Sequence, residues 1–282
     1  MIIANTNTFG VEIETVIPVE ALTMAGWRVG AYHVGAEIPN SDGWKAMRDG
    51  SIQAAEWGST GVEVVSPVLS GAAGITQVDA MVTRLKAMGA KVNASCGLHV
   101  HIGFNGSAQQ LAKLISLVSF HEKALYASTG TKNRESNRYC GSIKLAYKPL
   151  EKMTAMSTMS RICGDRYRAL NLQNLIDGRR PTVEFRVFAG TLNAIKIKAY
   201  IQLCLGLVQK AIEAKKSSKW DMATTRKHDG RLAMQELLLT LGWNDFKMAS
   251  PKHLTAGLLV PAQRDTMKKM MMRMAKKYDA TV

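Results

Sequence analysis

Residues 9–14 read Phe-Gly-Val-Glu-Ile-Glu, and this alternation of apolar and acidic residues predicts a β-strand. Because successive side chains of a strand point to opposite faces, Val11 and Ile13 share one face and Glu12 and Glu14 share the other. The apolar face is suited to packing on a core. The second face carries two carboxylates side by side, which is unusual for a strand of this length.

The same alternation recurs in three later segments, which we predict to be further strands of one sheet. Together with the first strand they cover residues 8–15, 61–67, 91–104 and 182–188. Apolar residues occupy one face of each later segment, and the other face presents Glu63, His99, His101, Glu184 and Arg186. An ordinary solvated sheet surface mixes Lys, Thr, Ser and Glu, so four strands that offer mainly carboxylates and imidazoles indicate a functional site.

Between these strands, apolar residues recur at helical spacing. They predict helices over residues 78–88, 111–125 and 201–212. Helices that alternate with half-polar strands favour the α+β class, with a sheet that helices cover on one side.

The composition is that of an ordinary folded protein. Of 282 residues, 46% are hydrophobic and 21% are charged, which excludes wholesale disorder. No apolar run approaches the roughly 20 residues that span a bilayer, and the first residues lack the pattern of a signal peptide. The four cysteines form no Cys-x-x-Cys pair, which is typical of reduced thiols, so we expect a cytoplasmic protein with no membrane span.

The positive charge is distributed unevenly. Lys and Arg total 37 against 22 Asp and Glu, a net charge of +15, of which residues 1–195 carry +5 and residues 196–282 carry +10. We predict a sheet domain over 1–195 and a basic helical region over 196–282 that packs on it. Such a basic region attracts polyanions, so nucleic acid is a candidate partner.

The acidic face predicts a metal site. Carboxylates set close together repel one another unless a cation lies among them. The candidate carboxylates outnumber the histidines, and no thiolate joins them, which favours Mg²⁺ or Mn²⁺ over zinc. Mg²⁺ usually serves phosphates, although the chain has neither a phosphate-binding loop of the Gly-x-x-x-x-Gly-Lys type nor a Gly-x-Gly-x-x-Gly turn. The five candidate carboxylates are Glu12, Glu14, Glu56, Glu63 and Glu184.

Six motifs in order resemble the amidoligase family, a branch of the carboxylate–amine ligases related to glutamine synthetase and gamma-glutamylcysteine ligase. The resemblance covers roughly residues 8–195, and its specificity comes from the order and separation of the motifs rather than from any one of them. The motifs are Phe-Gly-Val-Glu-Ile-Glu at 9–14, Asp-Gly-Ser at 49–51, Gly-Val-Glu-Val-Val-Ser-Pro at 61–67, Gly-Leu-His-Val-His at 97–101, Arg-Tyr-Arg-Ala-Leu-Asn at 166–171 and Val-Glu-Phe-Arg-Val-Phe-Ala-Gly-Thr at 183–191.

The resemblance implies a mostly antiparallel sheet curved into a funnel, with ATP entering from one end and two or three Mg²⁺ ions along its floor. Arg186 would contact phosphate and act with Glu184 in catalysis. Arg166, Arg168 and Asn171 would meet the nucleotide phosphates or an acidic substrate. The implied metal ligands are Glu12, Glu14, Glu56, Glu63, His99 or His101, and Glu184.

A loop rich in Gly, Asn, Thr and Arg runs from Ser128 to Ser142. It is long enough to act as a lid, in which case Arg134 and Arg138 are candidate substrate contacts.

The resemblance, together with the acidic face, implies an enzyme whose catalytic domain is the sheet domain over 1–195. It would be an ATP- and Mg²⁺-dependent ligase that joins a carboxylate to an amine through an acyl phosphate. The substrate classes open at this stage are amino acid, peptide, protein and modified base. Two alternatives remain. One is a metal-dependent hydrolase that uses His99 and His101, and the other is a non-catalytic nucleic-acid-binding protein that uses the basic C-terminal region.

Overall fold

The structure is a computed structural model. It describes residues 7–143, 165–214, 229–241 and 261–280, and for residues 261–265 the backbone alone.

One open sheet of seven strands forms the centre of the described fold. The strands follow the order β2-β3-β4-β1-β5-β7-β6, and every neighbouring pair is antiparallel. Their bounds are β1 Phe9–Pro18, β2 Ala36–Glu37, β3 Lys45–Met47, β4 Ser59–Val65, β5 Gly97–Gly103, β6 Leu170–Asn171 and β7 Thr182–Ala189.

All but one of the described helices bury apolar residues in the core on the apolar face of this sheet. The bounds of the helices are α1 Val19–Met24, α2 Gly71–Ala87, α3 Ala108–Phe120, α4 Glu122–Ala127, α5 Gln173–Ile176, α6 Ala194–Glu213, α7 Gly230–Thr240 and α8 Pro261–Asp279. The long helix α6 packs against α3, α2 and strand β5, while α7 and α8 pack on α4 and on each other.

The apolar residues of the alternating strands form the core with these helices. Ile13, Val64, Val100 and Phe185, one from each of the four central strands, are fully buried in a single cluster. Removing a side chain of this size from water contributes roughly 1.5–3 kcal/mol, so this face holds the helices to the sheet.

The fold class predicted from the sequence is confirmed, an α+β fold with an antiparallel sheet covered by helices on one face. The four predicted strands correspond to β1, β4, β5 and β7, while the short β2, β3 and β6 were not predicted. The helix predicted over 111–125 is two helices, because the chain breaks at His121 between α3 and α4. None of the described helices is both long and apolar enough to cross a membrane.

Candidate functional site

The strand register brings the ionisable residues together on the face opposite the helices. Glu12 of β1 lies directly opposite His99 of β5, and Glu14 lies opposite Glu63 of β4. His101 of β5 in turn lies opposite Glu184 of β7. Because directly opposite residues of an antiparallel pair share a face, the predicted residues of four strands form one cluster.

A bulge in β7 sets the position of Arg186. Leu98 pairs with Phe188 and Val100 pairs with Phe185, so two residues of β7 face the single residue His99. A bulge re-aims the side chains around it. Arg186 lies in this bulge, and its guanidinium reaches the acidic face beside Glu184.

His99 is the centre of the cluster. Its Nδ1 lies 2.9 Å from a carboxylate oxygen of Glu12 and 3.6 Å from one of Glu184. Its Nε2 lies 3.3 Å from Glu14, and Nδ1 is 4.0 Å from Glu63. The side chain is only 3% exposed, so these carboxylates are its immediate surroundings.

Two groups of three residues could each hold a metal ion. The first is Glu12, His99 and Glu184, and the second is Glu14, Glu63 and His99. Within each group the potential ligand atoms all lie within 4.8 Å of one another. Carboxylate oxygens dominate both groups, so their chemistry fits hard divalent cations.

The electrostatics of the cluster also fit a cation. Burial raises the pKa of Glu63 well above its ordinary value of 4.5, and the neighbouring carboxylates of Glu12 and Glu14 raise it further. The protein alone therefore favours a proton on Glu63. A divalent cation between these carboxylates would take the place of that proton.

His101 supplies part of the positive charge. Burial opposes its protonation, but the carboxylates of Glu12 and Glu184 outweigh burial and raise the pKa of His101 to about 8. Burial by itself would raise the pKa of Glu12 and of Glu184. The positive charge of His101, with the hydrogen bond between His99 and Glu12 and the positive charge of Arg186 at Glu184, instead holds both pKa values below their usual range.

Glu184 is fixed from both sides. Arg186 Nη1 donates to one carboxylate oxygen at 2.6 Å, and the amide nitrogen of Asn171 donates to the other at 2.7 Å. The Nε of Arg186 donates to the carbonyl oxygen of Tyr139 at 3.2 Å. Burial disfavours the charge on Arg186, but Glu184 raises its pKa and keeps it cationic.

A cleft of about 490 Å³ lies above the cluster. Glu12, Glu63, His99, His101, Glu184, Arg186, Arg166 and Asn171 line it. Sequence reasoning missed several further lining residues. The adjacent pair Arg179 and Arg180 just before β7 was a readable signal, and Asp49 belongs to the Asp-Gly-Ser motif at 49–51, for which the sequence predicted no role. Tyr32 and Lys45 belong to segments with no strong pattern.

A second cavity of about 380 Å³ adjoins the cleft at the Phe9 end of β1. Its walls are mainly apolar and include Phe9, Val65 and Phe104. Glu12 and Arg180 line both cavities, so the two lie side by side.

Glu56 does not join the cluster. It precedes β4 in a turn, its side chain is 57% exposed, and it forms an ion pair with Lys91 at 2.8 Å. Neither the cleft lining nor the two groups of potential ligands includes it. The resemblance implied that Glu56 is a metal ligand together with Glu63. Alternation directs side chains into the cleft only within a strand, and Glu56 lies outside β4.

Arg134 is also placed differently from the expectation. It is 2% exposed and donates to the carbonyl oxygen of Arg186 at 2.6 Å, so it braces β7 from inside. Its guanidinium lies beside Gly97, next to the ring of His99. Arg138, in contrast, is exposed at the surface, as a substrate contact requires.

The remaining predicted arginines separate into two environments. Arg166 lines the cleft and donates to the hydroxyl of Tyr32 at 2.5 Å. Arg168 pairs with Asp165 at 3.1 Å and is not among the residues that line the cleft.

A family model and several solved structures are similar to this chain. A family model described as "Putative amidoligase enzyme" matches residues 5–208. No curated protein matches the chain. Among solved structures, a bifunctional glutathione synthetase from Pasteurella multocida is similar at 10% identity and a TM-score of 0.49, over 98% of this chain and 48% of that one. The ligase PafA, in its complex with the prokaryotic ubiquitin-like protein Pup, is similar at 10% identity and a TM-score of 0.45, over 98% of this chain and 64% of that one.

The chain thus spans about half the length of the first of these proteins. The family model covers most of the chain and includes every strand of the sheet and every residue of the acidic cluster. This chain belongs to the amidoligase family.

Proposed function

We propose that the protein is an ATP- and Mg²⁺-dependent carboxylate–amine ligase that forms an amide or isopeptide bond through an acyl phosphate. The observation that carries the proposal is the buried cluster of carboxylates and imidazoles on one sheet face, with Arg186 beside it. A face of this kind has little stabilising value by itself, because buried charges cost free energy unless they are compensated.

The donor set supports Mg²⁺ as the cation. The proposed ligands are Glu12, Glu14, Glu63, Glu184 and His99, and Glu56 is left out because of its exposed position. His101 adjoins Glu12 without belonging to either group of three. When bound, Mg²⁺ neutralises phosphate charge and aligns the phosphoryl group for transfer.

The two adjacent cavities support ATP as the phosphoryl donor. The apolar cavity at the Phe9 end suits a nucleoside in size and character. Arg180 lies at its junction with the cleft, where the phosphates of such a nucleotide would begin. Lys45, Arg166 and Arg179 add positive charge to the cleft, above its acidic floor.

The reaction follows from these roles. A substrate carboxylate oxygen attacks the γ-phosphorus of ATP, the bond to the leaving oxygen breaks, and ADP departs. The amine then attacks the carbonyl carbon of the acyl phosphate, a carbon–nitrogen bond forms, and phosphate leaves while the amine loses a proton.

The chain itself contributes alignment and charge to both steps. Arg186 is fixed by Glu184 and by the Tyr139 carbonyl, so its guanidinium is preorganised to bind the transferring phosphoryl oxygens. Asn171 and Arg186 together prevent Glu184 from rotating away from the cluster. The buried floor limits the access of water to the reactive intermediate.

The two alternatives explain fewer of these features. A hydrolase with both histidines on one cation needs His101 as a ligand, yet in the described part of the chain only His99 belongs to the groups that could hold a metal. A nucleic-acid-binding protein leaves the acidic cleft without a role.

The test is ADP release with hydroxylamine as the amine and a panel of carboxylic acids, amino acids and peptides as donors. A ligase yields a hydroxamate together with ADP, because hydroxylamine captures an activated carboxyl group. ADP release without any hydroxamate would instead identify an ATPase or a kinase.

A further inference from the structure

A third cavity, of about 440 Å³, lies beyond the acidic cleft. Hydroxyl and amide side chains dominate its lining, from Ser51, Gln53, Ser95 and Asn137, and Tyr139 adds an aromatic wall. Arg138 is the one charged residue among the described residues that line it, and none of them is acidic. The cavity therefore differs in charge from the cleft and in polarity from the apolar cavity.

Arg138 is held in place without a carboxylate partner. Its guanidinium carbon lies 4.7 Å from the centre of the Tyr139 ring, and Nη2 donates to the Tyr139 hydroxyl at 2.6 Å. Arg168, Arg179 and Arg186 each pair with a carboxylate. No acidic group described in the structure lies within 4.0 Å of Arg138. A positioned but unpaired guanidinium is suited to bind a carboxylate through two parallel hydrogen bonds.

This cavity and the apolar cavity lie at opposite ends of strand β5. Ser95 precedes β5, whereas Gly103 at the other end of β5 lines the apolar cavity. The two cavities are thus at opposite ends of a seven-residue strand, with His99 and His101 between them. If a nucleotide binds at the Gly103 end, a ligand at the Ser95 end approaches the cluster from the other side.

Two connections join the cavity to the cleft, one along the chain and one through a hydrogen bond. Asp49 lines the cleft, and the next two residues, Gly50 and Ser51, line the cavity. Tyr139 lines the cavity, and its carbonyl oxygen accepts the hydrogen bond from Arg186. A ligand in the cavity therefore lies next to the residues that position the reactive groups.

We propose that this cavity binds the free carboxylate of an amino acid or a short peptide through Arg138, and so defines the substrate class of the ligase. The inference rests on the proposed ligase function. The volume suits a small polar molecule rather than a folded protein. Arg138 does not line the cleft, so the carboxylate that it holds is a recognition group and not the reacting one.

The bound molecule is either the donor or the acceptor. A donor carries a second carboxylate that reaches the cluster and is phosphorylated there. An acceptor carries an amine that attacks the acyl phosphate. Both share the carboxylate that Arg138 recognises.

The test is ligand-observed NMR with the common amino acids and a set of dipeptides, each compared with its carboxamide. We expect at least one free carboxylate to bind and its carboxamide to bind at least about tenfold more weakly. Arg138→Gln should weaken the same ligand to a similar extent. Arg231→Gln, which removes an exposed arginine of α7, is the matched control and should leave the affinity unchanged.

Hydroxylamine distinguishes the two sources of the carboxylate. A donor ligand gives its own hydroxamate with ATP, whereas an acceptor ligand gives none and its amine is consumed with the true donor. The inference is overturned if no compound of the panel binds, if carboxamides bind equally well, or if Arg138→Gln has no effect. Mg²⁺-dependent ATP binding is measured on the same samples, and its absence would count against the ligase proposal separately.

Discussion

The two faces of the sheet are built from the same strands but differ in how burial affects stability. On the helix side, Ile13, Val100 and Phe185 are fully buried among apolar neighbours. On the cleft side, His99 and Glu184 are 2% and 4% exposed, nearly as buried as the core. Burial of the first set stabilises the fold, whereas burial of the second costs free energy unless charges are compensated.

This difference indicates which face of the sheet carries the function. Packing in the core accounts for the burial of each apolar side chain on the helix side. A carboxylate such as Glu63, with its pKa raised by burial and by neighbouring carboxylates, is retained at a cost to the protein alone. Function accounts for such a cost when a ligand restores the balance of charge.

The largest expected effect is on the helix side. Phe185→Ala removes a fully buried ring from the core and should lower the free energy of unfolding by about 3–5 kcal/mol. Denaturant unfolding measures this change. If the variant lost less than about 1 kcal/mol, the difference between the two faces would be much smaller than we claim.

On the cleft side, Arg186→Lys should fold normally and bind ATP within a few-fold, yet lose on the order of 100-fold in turnover. Lysine keeps the charge but lacks the planar guanidinium group, whose several N–H donors can bind Glu184, the Tyr139 carbonyl and a phosphoryl group together. ADP release and melting temperature are measured together. Arg168→Lys, which changes an arginine paired with Asp165, is the control.

A stable Arg186→Lys protein with full turnover would remove Arg186 from the mechanism. A protein with a lowered melting temperature and full turnover would restrict Arg186 to an ion-pair role with Glu184.

Glu63→Gln should raise the stability of the metal-free protein but weaken its binding of Mg²⁺. The folded protein raises the pKa of Glu63 above its ordinary value of 4.5. The free energy of unfolding therefore falls as pH rises above that value, because Glu63 must ionise in an unfavourable environment. Glutamine removes this loss, and at neutral pH the metal-free variant should be about 1 kcal/mol more stable while Mg²⁺ binds more weakly.

Melting temperatures measured across pH check this prediction, since the gain should grow from acidic to neutral pH. Glu56→Gln, at the exposed carboxylate outside the cluster, should change stability by less than about 0.5 kcal/mol. Equal effects of the two substitutions would contradict the account.

The smallest effect is a release of protons on metal binding. Burial and the neighbouring carboxylates raise the pKa of Glu63, and Glu12 and Glu184 raise the pKa of His101 to about 8, so the metal-free cluster favours bound protons at both groups. A cation among the carboxylates displaces these protons, so Mg²⁺ affinity should rise with pH and level off above about 8. Calorimetry in buffers of different ionisation enthalpy counts the protons, and a count of zero would contradict the prediction.

The faces of the strands could be predicted from the sequence because alternation is a local property. Glu12 and Glu14 alternate with Val11 and Ile13 within six residues, and no knowledge of the partner strands is needed. The register that places Glu12 opposite His99 joins residues far apart in the chain, and the local pattern does not determine it. The family resemblance implied only that these residues share a metal site.

Other parts of the site could not be predicted, for identifiable physical reasons. The strands β2 and β3 have two and three residues, too few for a periodic pattern, so the contribution of Lys45 to the cleft was missed. Glu56 and Arg134 were selected by residue type, but burial and pairing decide their roles. Those depend on contacts with Lys91 and with the backbone of β7.

The central claim is that the buried acidic face binds ATP together with Mg²⁺. Calorimetric titration of ATP into the protein, with Mg²⁺ and with a chelator, tests it directly, and Glu12→Gln and Glu56→Gln are the paired variants. We predict that binding requires Mg²⁺, weakens at least about tenfold in Glu12→Gln and is unchanged in Glu56→Gln. Binding that is equal with and without Mg²⁺, or equal in the two variants, would contradict the claim.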